Sequence, residues 1–119
     1  MENTRLEKGI KKQFEVDGID RTNRVDKMDD LGRYIAEFVF GDIYSRSGLA
    51  LREREMVTIS MLAAKGGCEP QLTSHMKAGL HLGITKEEMT EIVMQAAVYA
   101  GFPAAVNAIN VLKSIVQLG

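Results

Sequence analysis

An all-α fold is predicted for this chain of 119 residues. Three observations carry the prediction. Apolar residues recur at spacings of three and four along most of the chain, no stretch alternates apolar and polar with period two, and helix stop and start signals fall between the periodic stretches. Together they predict a single-domain bundle of about six helices.

The first helix is expected over residues 3–16, where Leu6, Ile10, Phe14 and Val16 make an apolar stripe and Lys8, Lys11 and Lys12 a solvated side. Residues 17–24 are rich in turn formers and read as a loop. A second helix is expected from Lys27 to Phe40, with Asp26 as N-cap, Asp29 and Asp30 in the first turn, and a stripe of Leu31, Ile35, Phe38 and Val39. Residues 41–49 read as a short connection.

The third helix, Leu51 to Lys65, carries Met56-Val57-Thr58-Ile59-Ser60-Met61-Leu62 and is apolar on most sides, which predicts a central position. Ala50 at its start is a poor cap. Gly66-Gly67 stops it, because glycine reaches left-handed backbone angles without steric cost. Pro70 suits the first turn of a fourth helix, which runs to Leu82 and ends at Gly83. Thr85-Lys86-Glu87-Glu88 spells a capping box for a fifth helix reaching Ala100, with Met89, Ile92, Val93, Ala96, Ala97 and Ala100 as its packing face. Gly101-Phe102-Pro103 breaks that helix. A sixth runs from Pro103 to Leu118 and turns Val106, Ile109, Ile115 and Val116 toward a core.

Composition narrows the function. Lysine plus arginine total 15 against 16 acidic residues, a net charge of -1 that offers nucleic acid no basic stripe. A lone cysteine excludes an intrachain disulfide and fits a reducing compartment. The N-terminal residues lack the apolar core of a signal peptide, and no apolar run is long enough to span a membrane. These readings predict a cytoplasmic protein with neither membrane nor nucleic-acid partners. The third and fifth helices carry more apolar and small residues than one short domain can cover, which predicts an obligate homo-oligomer.

One stretch concentrates titratable chemistry. Residues 66–80, Gly-Gly-Cys-Glu-Pro-Gln-Leu-Thr-Ser-His-Met-Lys-Ala-Gly-Leu, hold the lone cysteine and one of two histidines. Gln71 and His75, four apart, share a helix face. Cys68 stands at the helix start, where orphan N–H groups favour a thiolate. Seven residues of helix separate Cys68 and His75 by roughly 10 Å along the axis, too far for a direct pair. His81 lies well round the helix from His75. The two histidines, six apart, make poor metal spacing, and no dense ligand cluster accompanies them, so no metal is expected.

Three blocks resemble the carboxymuconolactone decarboxylase family, which includes the alkylhydroperoxidase D-like proteins. They are residues 40–49 leading into Arg52-Glu53-Arg54-Glu55, then Gln71-Leu72-Thr73-Ser74-His75 with Gly79-Leu80 and Leu82-Gly83-Ile84-Thr85, then Glu91-Ile92 through Ala97-Val98-Tyr99-Ala100-Gly101-Phe102-Pro103 to Ala108. The resemblance covers residues 40–119 and is looser over 1–39. It implies an alkylhydroperoxidase D-like subunit in a ring-like homo-oligomer, a hexamer or trimer. In the peroxidase branch a Cys-x-x-Cys precedes the histidine, with an upstream glutamate in a proton relay. Here Cys68 matches the first cysteine, Gln71 replaces the second, His75 matches the histidine and Glu55 is the best match to the glutamate. The Gln71–His75 pattern is similar to the decarboxylase branch.

The resemblance therefore implies a cofactor-free carboxy-lyase acting on a γ-carboxymuconolactone-like organic acid. His75 is its proton donor, Glu55 the group that sets its tautomer, and Gln71 and Tyr99 are substrate-binding candidates. Two alternatives stand beside it: a thiol-dependent peroxidase or reductase using Cys68, and a non-catalytic oligomeric binding protein on the same scaffold. Each candidate also has a structural reading: His75 as a core or interface residue, Cys68 as a small hydrophobe, Glu55 and Gln71 as helix-end groups, and Tyr99 as core packing.

Overall fold

The computed structural model describes residues 4–22 and 29–116. Within them the chain forms six helices: α1 (Arg5–Asp17), α2 (Asp30–Tyr34, continuing as a π-helix over Ile35–Ile43), α3 (Leu51–Lys65), α4 (Glu69–His81), α5 (Lys86–Ala100) and α6 (Phe102–Ile115). No strand occurs among the described residues. Two units cluster separately, residues 1–51 and 52–119.

In the first unit Thr4 caps α1 through a full capping box with Glu7. Helix α2 starts at Asp30, and the expected start near Lys27 lies outside the described residues. Asp29 is its cap, its carboxylate accepting from the Gly32 N–H at 2.7 Å. The expected cap Asp26 lies outside the described residues, as does the predicted end of the last helix at Leu118. The expected stripe of α2 is corrected as well: Leu31, Ile35 and Phe38 are exposed, while Ala36, Phe40, Gly41 and Tyr44 are buried. The cause is the change of helix type. In π geometry bonds run from residue i to i+5, as Tyr44 N–H to the Val39 carbonyl does at 2.8 Å. Residues five apart then share a face, so Ala36 and Gly41 both meet α1. A methyl group placed at Gly9 would lie 1.9 Å from the Ala36 carbonyl oxygen, and one at Gly41 would lie 3.2 Å from the Arg5 carbonyl oxygen. Likewise Phe14, expected in the α1 stripe, is exposed, and Gly9 and Gln13 join Ile10 and Val16 on the buried side.

The second unit has its core between α3, α4, α5 and α6, where Ile59, Met76, Ile84, Met89 and Leu112 are fully buried. Helix α4 approaches closely at Gly79, where an added Cβ would come within 2.8 Å of the Met89 methyl. On α6 the core side is Ala105, Ala108, Val111 and Leu112, with Ile109, Ile115 and Val116 packed at its edge. Val106, expected inside, is exposed. Ala100 ends α5 in solvent instead of on its packing face. Helix α3 is not covered on most sides: Glu55, Ile59 and Ala63 face the core, while Val57 and Met61 face out.

The predicted capping box opens α5. Thr85 Oγ accepts from the Glu88 N–H at 3.0 Å and Glu88 Oε1 from the Thr85 N–H at 2.9 Å. Glu88 also takes the Arg52 guanidinium, which ties the first turns of α3 and α5 together. The Thr85 backbone N–H and the Arg52 guanidinium hold the Glu88 carboxyl below its ordinary range. A carboxyl lowered by folding stabilises fully above its unfolded pKa of about 4.3, and that contribution is lost as pH falls through the folded value. Glu88→Gln keeps the capping geometry but removes the charge. We expect it to lower the melting temperature at neutral pH and to converge with the parent in acid, as melting curves taken across that range will show. A constant difference at every pH would contradict this role.

Candidate active site

Glu55 and His75 meet in the second unit. Glu55 heads the i, i+4, i+8 stripe that α3 turns to the core, and it is 0% exposed. A carboxylate cannot be buried there without polar partners. His75 supplies one: its Nδ1 and Glu55 Oε1 are in hydrogen-bond contact. An ionised carboxylate only accepts, so Nδ1 donates and the other ring nitrogen, Nε2, is left for external chemistry. The histidine side chain is 26% exposed, so one edge of the ring reaches the surface. Its position is set by α4, whose Leu72, Met76 and Gly79 anchor the helix in the core.

The start of α4 depends on two consecutive glycines, Gly66 and Gly67, at φ 70° and 72°. They let the chain leave α3 and re-enter a helix within three residues. Cys68 occupies the N-cap position of α4 but makes no capping bond. Its thiol donates instead to the Leu62 carbonyl, with sulfur and oxygen 3.3 Å apart. Gln71 is exposed one turn before His75 on the same face of α4. His81, in the last turn of α4, is exposed.

Tyr99 stands elsewhere. It is 85% exposed and lines a groove of about 440 Å³ between α3 and α5, together with Val57, Ser60, Met61, Ile92 and Gln95. Val57, Met61 and Ala64 project from α3 on the side opposite Glu55, as their helical spacing requires. The structure thus brings Glu55 and His75 together, keeps Gln71 on the same face as His75, and sets Tyr99 apart from them on another side of α3. Sequence reasoning missed the groove. Its signal was a second apolar row on α3, Val57, Met61 and Ala64, which reads as general apolarity unless the helix is resolved into faces. Among the described residues no group of three or more His, Cys, Asp and Glu side chains stands together as a metal site would. No helix among them is long and apolar enough to cross a membrane.

Comparison with known proteins agrees with the residue patterns. A sequence profile of the carboxymuconolactone decarboxylase family matches residues 29–114. The 4-carboxymuconolactone decarboxylase of Acinetobacter baylyi is 33% identical over 93% of this chain and 86% of its own length. An uncharacterized 15.0 kDa protein of Paracoccus denitrificans is 32% identical over 66% of the chain and 60% of its own length. Nitrosuccinic acid decarboxylase of Metarhizium robertsii is 28% identical over 70% of the chain and 57% of its own length. With the profile spanning both units and a third of positions shared along nearly the whole length of one relative, the chain belongs to the carboxymuconolactone decarboxylase family.

Proposed function

We propose that this protein is a cofactor-free decarboxylase of a small organic acid, of the γ-carboxymuconolactone type, in which His75 delivers the proton. The observation that carries the reading is the contact between the half-buried His75 and the fully buried Glu55. Two relatives named as decarboxylases support the reaction class. In such a substrate a carboxylate sits on a lactone carbon next to a ring alkene conjugated with the carbonyl. When the C–CO₂ bond breaks, its electron pair moves through the alkene onto the carbonyl oxygen as a dienolate. The protonated His75 ring then gives its Nε2 proton to carbon, and solvent returns a proton to the ring. The net step releases CO₂ and consumes one proton, with no redox change.

Glu55 fixes the tautomer and orientation of His75 through Nδ1. Gln71, exposed beside His75, can donate its amide N–H to the leaving carboxylate or to the dienolate oxygen. The N-terminus of α4 adds a partial positive charge that suits an anionic substrate. The protein acts in the cytoplasm, where a lone thiol stays reduced, and it assembles as a ring of identical subunits, a hexamer or trimer. That assembly is supported by family membership and by the apolar side chains left uncovered on α3 and α5.

The thiol reading has less support. Cys68 is satisfied as a donor to the Leu62 carbonyl, which requires the thiol and not the thiolate. A direct assay separates the readings. Incubation with γ-carboxymuconolactone is expected to release CO₂, whereas an organic hydroperoxide with a dithiol is expected to be left unchanged. Peroxide consumption without CO₂ release would replace the decarboxylase by a thiol peroxidase. Inactivity toward both, with the lactone still bound, would make the chain a binding protein.

A further inference from the structure

The α5–α6 hairpin departs from the usual pattern of a solvent-facing surface. From Ile92 to Leu112 the chain contains no Asp, Glu, Lys, Arg or His. A helix that faces water normally turns charged residues outward. Here the outward positions include Met94, Val98, Tyr99, Phe102 and Val106, beside the uncharged Gln95, Asn107 and Asn110, with Tyr99 85% and Phe102 77% exposed. Met61 of α3 extends the face across the groove that Tyr99 lines. From the ordinary areas of these side chains and their exposure, the six leave roughly 500 Å² of apolar side-chain surface open. The largest patch of a typical monomer is about 300–600 Å², so size alone does not require a partner. Composition adds what size does not. Two methionines, a tyrosine and a phenylalanine, without a charge among the six, match the core of an interface between identical chains. In such interfaces about 65% of the area is apolar, and a standard one takes about 800 Å² from each partner, which comes to about 500 Å² of apolar surface.

We infer that this face is the contact through which a second copy of the chain docks, the α5–α6 hairpin and the outer side of α3 being covered in the assembled protein. The inference rests on the oligomer proposed above and specifies where it forms. A second copy is the occupant whose size fits the open area and whose supply is always stoichiometric. The groove between α3 and α5 gives the contact its relief, with Met61 and Tyr99 on its walls. Because Glu55 projects from the other side of α3, loss of the contact leaves the Glu55–His75 pair in place.

The test combines mass and footprint. At low micromolar concentration the parent is expected to sediment as a multiple of 13.1 kDa. The variant carrying Val98→Glu and Phe102→Glu is expected to sediment as a single chain while keeping the parent's helical circular dichroism. Hydroxyl-radical labelling of the parent, which needs no variant, is expected to modify Met61, Met94 and Tyr99 several-fold less than their exposure in the single chain predicts, and Phe14 of α1 in proportion to its exposure. A parent that sediments at the single-chain mass, or that stays monomeric and floats with anionic lipid vesicles, would overturn both the contact and the oligomer. An oligomer with Met61, Met94 and Tyr99 fully labelled, or one unchanged by the double substitution, would overturn this face alone.

Discussion

Replacing His75 by glutamine is expected to lower decarboxylation by about 10²–10⁴-fold, the usual contribution of a positioned acid. Glutamine can still donate a hydrogen bond to the buried Glu55 carboxylate, so the partner is not abandoned. What is lost is the imidazole as a proton donor to carbon, a role an amide cannot fill. Cys68→Ser is the companion variant. The serine hydroxyl can take over the bond that the Cys68 thiol makes to the Leu62 carbonyl, and activity is expected to stay near that of the parent. Glu55→Gln separates positioning from proton delivery. It keeps a side chain of the same shape but no longer enforces Nδ1 as the donor, so the pH–rate profile is expected to change in shape together with the rate. Initial rates of CO₂ release across pH for the three variants would check all of this. Full activity in His75→Gln with none in Cys68→Ser would reverse the assignment.

Gly9→Ala is expected to destabilise the first unit by about 3 kcal/mol or more, at the upper end of what overpacking costs. Two effects oppose each other. Alanine is favoured over glycine in a helix interior by about 0.8–1 kcal/mol, and Gly9 lies inside α1. Against that, the new methyl would fall 1.9 Å from the Ala36 carbonyl oxygen. That neighbour is backbone, so no side-chain rotation relieves the clash and α1 must move off the π-helix. The contact term wins. Urea unfolding and amide exchange along α1 would measure it, with the exposed Lys8→Ala as a control expected to stay within about 0.5 kcal/mol of the parent. A Gly9→Ala protein as stable as the parent would mean that α1 and the π-helix do not lie this close in solution.

What could be read from the sequence is what depends on neighbours in the chain. The Thr85–Glu88 box and the Gly66-Gly67 stop are local chemistry, and they appear where expected. Thr4 and Glu7 carry the same Thr-x-x-Glu signal, which places the start of α1 two residues beyond the start that periodicity suggests. The residue types of the site were legible by resemblance, but the meeting of Glu55 and His75, twenty positions apart, follows from α3 turning its Glu55–Ile59–Ala63 stripe inward. The buried side of α2 was illegible for a different reason. A search at helical spacing assumes i to i+4 bonding and selects Leu31, Ile35 and Phe38, whereas the π segment buries Ala36, Phe40 and Gly41. The surroundings of Tyr99 were not legible because a tyrosine near a helix end suits core, site and interface alike.

The π-helix also ties chain length to helix type in a place where length is seldom thought to matter. A helix surface ordinarily tolerates exchange of one side chain for another, and insertions or deletions are left to loops. Between Ile35 and Ile43 length and bonding are traded against each other: Ala36 and Gly41, five positions apart, share a side because the bonds run five apart. Removing one residue between them would leave them four apart, and a segment relaxed to α geometry would still turn both toward α1. The change of helix type would absorb the gap and keep the contact. In aligning this chain with its relatives, a one-residue gap here marks a change of helix type on an unchanged packing side.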